Sequence, residues 1–311
     1  MRENLFKNHV TAGRFTLPAA IVTATACWLL GAVLLPPSGI GSLVSFLLYV
    51  GAGYLLIGMN NTFAIIRMRA SVQTSIFLLL AAVCPQLHDL QPGNIAVLAV
   101  LAGMFFLFRS YQQPQPSSNV FLAFVFLGAG SLAYPKLTLY APLFWTGCHA
   151  FRSLQVKSFF ASLVGWAFPY WFLAGHAIFY GQMELLYAPF RTLVAFEPVN
   201  FQFRQEEAAT MGYLLVLFAV SAGHYLVASY EDKIRTRSYL HFLIWFCCYT
   251  FLFMTLQPSE ETALLPMLLA GVSFPAGHLF VLTNGRSINY FFIAMFVGLF
   301  ALFVFNLWML S

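Results

Sequence analysis

The sequence predicts an all-α protein, a polytopic transmembrane helical bundle of about eleven spans with its N-terminus inside and its C-terminus outside. Three observations predict it. Of 311 residues, 60% are apolar and only 8% are charged, where a soluble domain carries about 25% charged residues. The apolar residues gather in long continuous runs, and the basic residues between the runs segregate by side. With 15 Lys+Arg against 10 Asp+Glu, there is too little polar material to coat a water-facing surface, and the mean hydropathy is +0.80. This composition excludes a soluble globular domain, a disordered chain and a nucleic-acid-binding module. The pI near 9.0 does not come from a basic patch, so no nucleic-acid partner is expected.

The runs cover 15–35, 40–58, 71–84, 94–108, 119–134, 137–151, 158–180, 212–229, 239–256, 263–282 and 288–310. A bilayer core of about 30 Å needs about 20 apolar residues as helix. The runs are rich in Leu, Phe and Ala and lack period-two alternation, which favours helices over a barrel. In the first run, Ala24-Thr25-Ala26-Cys27 is similar to a lipoprotein cleavage site. The apolar stretch continues through Leu35, however, so a retained first span is expected. The four runs from 71 to 151 are short, at 14 to 16 residues. Either they extend into their flanks while Arg67, Arg69 and Arg109 snorkel to the interface, or they are paired half-helices turning at Pro85 and Pro135. Full spans are the expectation. Cys27, Cys148, Cys247 and Cys248 lie inside apolar runs and read as small apolar fillers.

Orientation follows from Lys and Arg. With the N-terminus inside, the inner segments hold Arg2, Lys7, Arg14, Arg67, Arg69, Arg109, Arg152, Lys157, Lys233, Arg235, Arg237 and Arg286, and the outer ones hold Lys136, Arg191 and Arg204. The acids lean the other way, with Glu3, Glu231 and Asp232 inside and Asp89, Glu184, Glu197, Glu206, Glu207, Glu260 and Glu261 outside. Residues 1–311 read as one integral membrane domain. Its long connection, 181–211, mixes aromatics, charges and two prolines, as an amphipathic segment on the outer interface does.

Three groups of residues bear on chemistry. Ala-Gly-His occurs at 174–176, 222–224 and 276–278. On this topology His149, His224, His241 and His278 fall toward the inner halves of their helices, which makes them the candidates for an iron or zinc site. Against that, no HxxxH spacing is present and no carboxylate is expected nearby to orient the imidazoles, so cross-helix hydrogen bonding is the expected role and neither metal nor cofactor is expected. Second, no Asp or Glu lies well inside a run, which weighs against carboxylate proton relays; the first outer loop, Pro36-Pro37-Ser38-Gly39, has no acid either. Third, Glu184, Arg191, Glu197 and Arg204 on the outer connection are the candidate catalytic residues, roofed by Tyr187, Phe190, Phe196, Phe201 and Phe203. Glycan transfer from a polyprenyl diphosphate needs an Arg to hold the leaving diphosphate bidentately and a Glu to activate the acceptor hydroxyl.

The inner loop Ser229–Arg237, with Asn60-Asn61 and Arg67-Met68-Arg69, forms a cationic rim suited to anionic membrane lipids, at about 1 kcal/mol per cation. At Asn60-Asn61-Thr62-Phe63 through Arg67-Met68-Arg69-Ala70-Ser71, and again at Tyr230-Glu231-Asp232-Lys233-Ile234-Arg235-Thr236-Arg237, the chain resembles a group of uncharacterised polytopic inner-membrane proteins of Bacteroidota. The resemblance spans nearly the full length and implies a multi-pass protein of the bacterial inner (cytoplasmic) membrane. Some members are labelled carotene-cleaving monooxygenases. The chain lacks the Pro-His-Gly and His-rich motifs of the membrane carotene oxygenases, so the resemblance does not carry that activity over. Three functions are then expected: a metal-independent transferase or polymerase for lipid-linked glycans at the outer face, a non-enzymatic subunit or scaffold binding envelope-complex proteins, and a polyhistidine-metal oxygenase.

Overall fold

The computed structural model describes residues 7, 10–11, 13, 15–34, 39–66, 71–199, 201, 203–283 and 285–310. Arg2, Glu3, Arg14, the Pro36-Pro37-Ser38 stretch and Arg67-Met68-Arg69-Ala70 lie outside the described residues. Within them the chain is all-α. Its helices are α1 Thr16–Leu34, α2 Ile40–Phe63, α3 Val72–Ala82, α4 Pro92–Arg109, α5 Ser117–Ala133, α6 Ala141–Ala150, α7 Val156–Phe179, α8 Glu184–Val194, α9 Gln205–Ala228, α10 Ile234–Leu256, α11 Glu261–Leu282 and α12 Arg286–Leu310. Short 3₁₀ turns at Pro85–Leu87, Pro135–Tyr140, Ser229–Glu231 and Pro258–Glu260 join some of them.

Every one of the eleven apolar runs becomes a helix, but their lengths differ. Seven helices among the described residues are long and apolar enough to cross a membrane: α1, α2, α4, α9, α10, α11 and α12. This is the mark of a multi-pass membrane protein. Helix α3 has 11 residues and α6 has 10, so each rises only about 15 Å, half of a hydrocarbon core. Full spans were expected over 71–84 and 137–151. Helix α3 instead gives way to the 3₁₀ turn that opens at Pro85. The start of the later run is wound as the 3₁₀ turn from Pro135, and α6 begins only at Ala141, with Pro142 in its first turn.

The described residues cluster into two compact units, where the sequence reads as one membrane domain: residues up to Gln91 together with Phe201 onward, and Pro92–Asn200. In the first unit, α11 is the enclosed element, with nearly every residue from Glu261 to Phe280 buried. It packs against α3, α9 and α10, while α1 and α2 pack on α3. Asn60 ends α2. Its carbonyl accepts the N–H of Ala64, which adopts a left-handed conformation, and its side-chain oxygen accepts the N–H of Ile66 at 2.8 Å. The Asn of the Asn60-Asn61 pair is therefore a helix stop.

In the second unit, α5 packs against both α4 and α7. The α5–α7 crossing is close because each helix offers a glycine to the other's backbone. A Cβ on Gly128 would stand 2.4 Å from the Trp166 carbonyl oxygen, and one on Gly165 would stand 2.5 Å from that of Phe121. Small residues at such crossings let helix backbones approach where no hydrophobic drive separates protein from lipid. Ser131 and Tyr170 add a hydroxyl pair across the same helices at 2.9 Å. Gly128→Ala and Gly165→Ala should each lower the stability of the detergent-solubilised chain by about 1–3 kcal/mol. Gly175→Ala, where a Cβ meets nothing within 4 Å, should leave it unchanged. Thermal unfolding of the three variants checks this, and equal transition temperatures would contradict the close crossing.

Candidate functional site

The densest polar group of the first unit sits at the heads of α9 and α11. Arg204 caps α9 from an extended backbone. Glu207, three residues on, closes a capping box: one of its oxygens accepts the Arg204 backbone N–H at 3.0 Å and the other accepts its Nε–H at 2.6 Å. Nη1 of the same guanidinium lies 3.3 Å from Glu206. Acids in the first turn of a helix also face its positive end. The side chain of Arg204 is 59% exposed, against 7% for Glu206 and 10% for Glu207. A guanidinium on the rim is thus fixed by two carboxylates beneath it. The hydrogen bond that Arg204 donates to Glu207 raises the Arg204 pKa above its ordinary value.

Glu261, the first residue of α11, lies behind this fork. It is 2% exposed, and the charged groups acting on it are Glu207, Arg204 and Glu206, with Glu207 in reach of a hydrogen bond. Neither of its oxygens receives a hydrogen bond from any donor among the described residues. The sequence places Glu261 among outer-loop acids, whereas the fold encloses it. One turn below the fork, Asn306 of α12 donates to the Val83 carbonyl at 3.1 Å and to the Thr210 hydroxyl at 3.4 Å. Its own side-chain oxygen is buried without a donor among the described residues. Cys84 lies beside Thr210 and Glu261. The cluster combines an exposed cation, a carboxyl able to hold or give up a proton, and a set of oxygen acceptors.

A second polar group closes the other end of α11. Nε2 of buried His278 lies 2.9 Å from Asp232 Oδ2, and the Tyr225 ring stands edge-on to the imidazole with centroids 6.0 Å apart. The expectation that no carboxylate orients a histidine is corrected here. The 3₁₀ turn Ser229–Glu231 leads directly into Asp232, which pairs with a residue 46 positions away. Beside it, His224 Nε2 and the Thr283 hydroxyl are 2.9 Å apart, and the Lys7 ammonium donates to the Thr283 carbonyl. Gly277 packs tightly: a Cβ there would meet Ile66 at 3.0 Å and Gln73 at 3.1 Å. Gln73 is fully buried, and its amide makes no hydrogen bond among the described residues.

The predicted site residues separate. Glu184 and Arg191 form an ion pair at 2.6 Å along α8, with side chains 65% and 72% exposed; such a pair contributes about 1 kcal/mol or less. Glu197 is exposed in the segment after α8. These three belong to the second unit and Arg204 to the first. Of the candidate metal ligands, His149 is exposed in the second unit, while His241 is exposed on α10 and accepts a hydrogen bond from Trp245 Nε1 at 2.9 Å. His224 and His278 have the partners given above. Among the described residues no three His, Cys, Asp or Glu side chains are arranged to hold a metal ion. Sequence reasoning missed Glu206, Glu207, Glu261 and Asp232 as site residues. The available signal was the spacing of Arg204 and Glu207, a capping-box interval at the start of an apolar run.

His88, in the connection after α3, is a buried neutral group. Its ring stacks on Trp28 at 3.9 Å between centroids, and its Nε2 lies 3.2 Å from the Ala82 carbonyl. Burial pushes its pKa down to about 4. The folded value lies below the unfolded one of about 6.5, so the unfolded chain binds more protons between the two. The stabilisation from neutral His88 is therefore complete above about pH 6.5 and is lost as pH falls toward about 4, amounting to roughly 3 kcal/mol there. No protein-family model, curated protein or solved structure matches this chain. Transition temperatures of the wild type and His88→Phe across this range check the pH effect. The wild type should lose more stability than the variant, and parallel curves would contradict the assignment.

Proposed function

We propose that this chain is a membrane protein of cell-envelope biogenesis that acts, as a metal-independent transferase or polymerase, on a lipid-linked glycan at the outer headgroup level. The observation that carries this reading is Glu261, a buried carboxyl with no donor on either oxygen, behind a guanidinium fixed at the rim. Once it has shed its own proton, a carboxyl of this kind takes that of an acceptor hydroxyl as the new glycosidic bond forms. Arg204 supplies the cation that meets a diphosphate leaving group. The base thus stands at the head of α11 rather than in the 181–211 connection, and Arg204 remains the cation beside it.

The placement at the outer face rests on the distribution of Lys and Arg, which favours eleven apolar segments with the N-terminus inside and the C-terminus outside. Reporter fusions after Gln112 and Tyr230 should read cytoplasmic, and fusions after Gln205 and Ser259 should read external. A cytoplasmic signal at Gln205 would reverse the orientation and remove the outer-face reading.

The activity is tested in a strain lacking the gene and complemented with Arg191→Lys, Arg204→Lys, Glu184→Gln or Glu261→Gln. Surface glycan is scored on gels and protein level by blot. Glu261→Gln should lower glycan synthesis by about a hundredfold or more, the usual effect of removing a general acid–base group. Lys at position 204 keeps the charge but loses the planar fork, so a clear loss is expected there as well. Normal glycan from all four variants at normal protein level would eliminate the transferase and leave the scaffold of an envelope complex.

A further inference from the structure

We propose that Glu207 and Glu261 share a single proton, making the head of the enclosed helix a proton-binding site. The inference concerns the chain whatever it acts on. Its ground is the mismatch between acceptors and donors. The carboxylates of Glu206 and Glu207 hold one guanidinium, and that of Glu261 lies behind them within reach of Glu207. Arg204 directs Nε to Glu207 and Nη1 to Glu206, and its backbone N–H also goes to Glu207. Among the described residues none donates to Glu261, although it is almost fully enclosed. An ionised Glu261 would be desolvated beside two other carboxylates with no hydrogen bond to it among the described residues, opposed only by the field of Arg204 and of the helix ends.

A proton resolves the mismatch. Two carboxylates facing each other are both acceptors and repel. With one proton, the O–H of Glu261 donates to the Glu207 carboxylate, and the contact becomes a charge-assisted hydrogen bond. The proton belongs on Glu261, because Glu207 already accepts two hydrogen bonds from Arg204, which favour its charged form. Charge then balances. Three carboxylates carry three negative charges; Arg204 and the shared proton return two. The positive ends of α9 and α11, at whose first turns the acids stand, contribute about half a charge each.

None of the described residues around Glu261 donates a hydrogen bond to it. The head of α9 brings Arg204, Glu206 and Glu207; the end of α3 brings Cys84; the turn before α11 brings Glu260; and α12 brings Asn306. Asn306 spends its amide hydrogens on Val83 and Thr210.

Infrared spectroscopy of the full chain in lipid nanodiscs, with carbon-13 in its glutamates, reads the proton directly. At neutral pH the wild type should show the isotope-shifted C=O stretch of one protonated glutamic acid per chain, disappearing as the pH is raised. Glu261→Gln should abolish the band, Glu207→Gln should shift its frequency by removing the acceptor, and Asp232→Asn should leave it unchanged. Absence of the band in the wild type at neutral pH would overturn the proposal, since both carboxylates would then be ionised. A band that survives Glu261→Gln would overturn it too. If Glu261→Gln does not fold, the wild type and Glu207→Gln decide, and an identical band in both would overturn the shared proton.

Discussion

The enclosure of α11 is the constraint on which the first unit depends. A lipid-facing helix satisfies its backbone internally and exposes apolar side chains. A helix surrounded by protein must also find partners for any polar side chain at its ends, because no water is there to provide them. Nearly all of α11 is buried. Its ionisable residues therefore stand where other elements can reach them, Glu261 in the first turn and His278 toward the far end, while buried Ser273 donates to the Ala270 carbonyl of its own helix. The Arg204 fork and Asp232 stand at those two ends. Between them run leucines, methionine, phenylalanine and two prolines. The missing N–H groups of Pro266 and Pro275 leave backbone carbonyls one turn earlier without their usual donors, and surrounding helices exclude water from both places.

The two compact units solve the packing problem in different ways. The first wraps helices around a central one and joins them through polar contacts at its ends. The second brings α5 and α7 together backbone to backbone at Gly128 and Gly165, with the Ser131–Tyr170 hydroxyl pair along the seam. Among the described residues of the second unit, Lys136 is buried beneath the Phe196 ring, 5.1 Å from its centroid. Aromatic residues of the long connection thus do more than meet lipid: one covers a cation that the charge pattern had assigned simply to the outer side.

The positions of the helices were legible in the sequence because continuous apolar runs of that composition have few other outcomes in a bilayer. Their lengths were less legible. The run 137–151 looks uniform in hydropathy, but Pro135 and Pro142 set a 3₁₀ turn ahead of a short helix, and hydropathy carries no information about winding. The candidate site was legible in part. Arg204 was singled out, and its capping partner stood three residues away. Glu261 and Asp232 were not recognisable, because burial of an acid at a helix end depends on which other helices surround it, and that is decided by contacts tens of residues apart.

The tight seat of Gly277 has a consequence for how the sequence drifts over evolution. Ala-Gly-His appears as a threefold refrain, yet its glycines live under different rules. Gly175 and Gly223 have open space where a side chain would grow, while Gly277 is pressed against Ile66 and Gln73. Among descendants of this chain, the first two copies should lose their glycine freely, to alanine or serine. The third should hold it, together with the histidine beside it. The apparent repeat is a coincidence of composition in the first two copies and a packing requirement in the third.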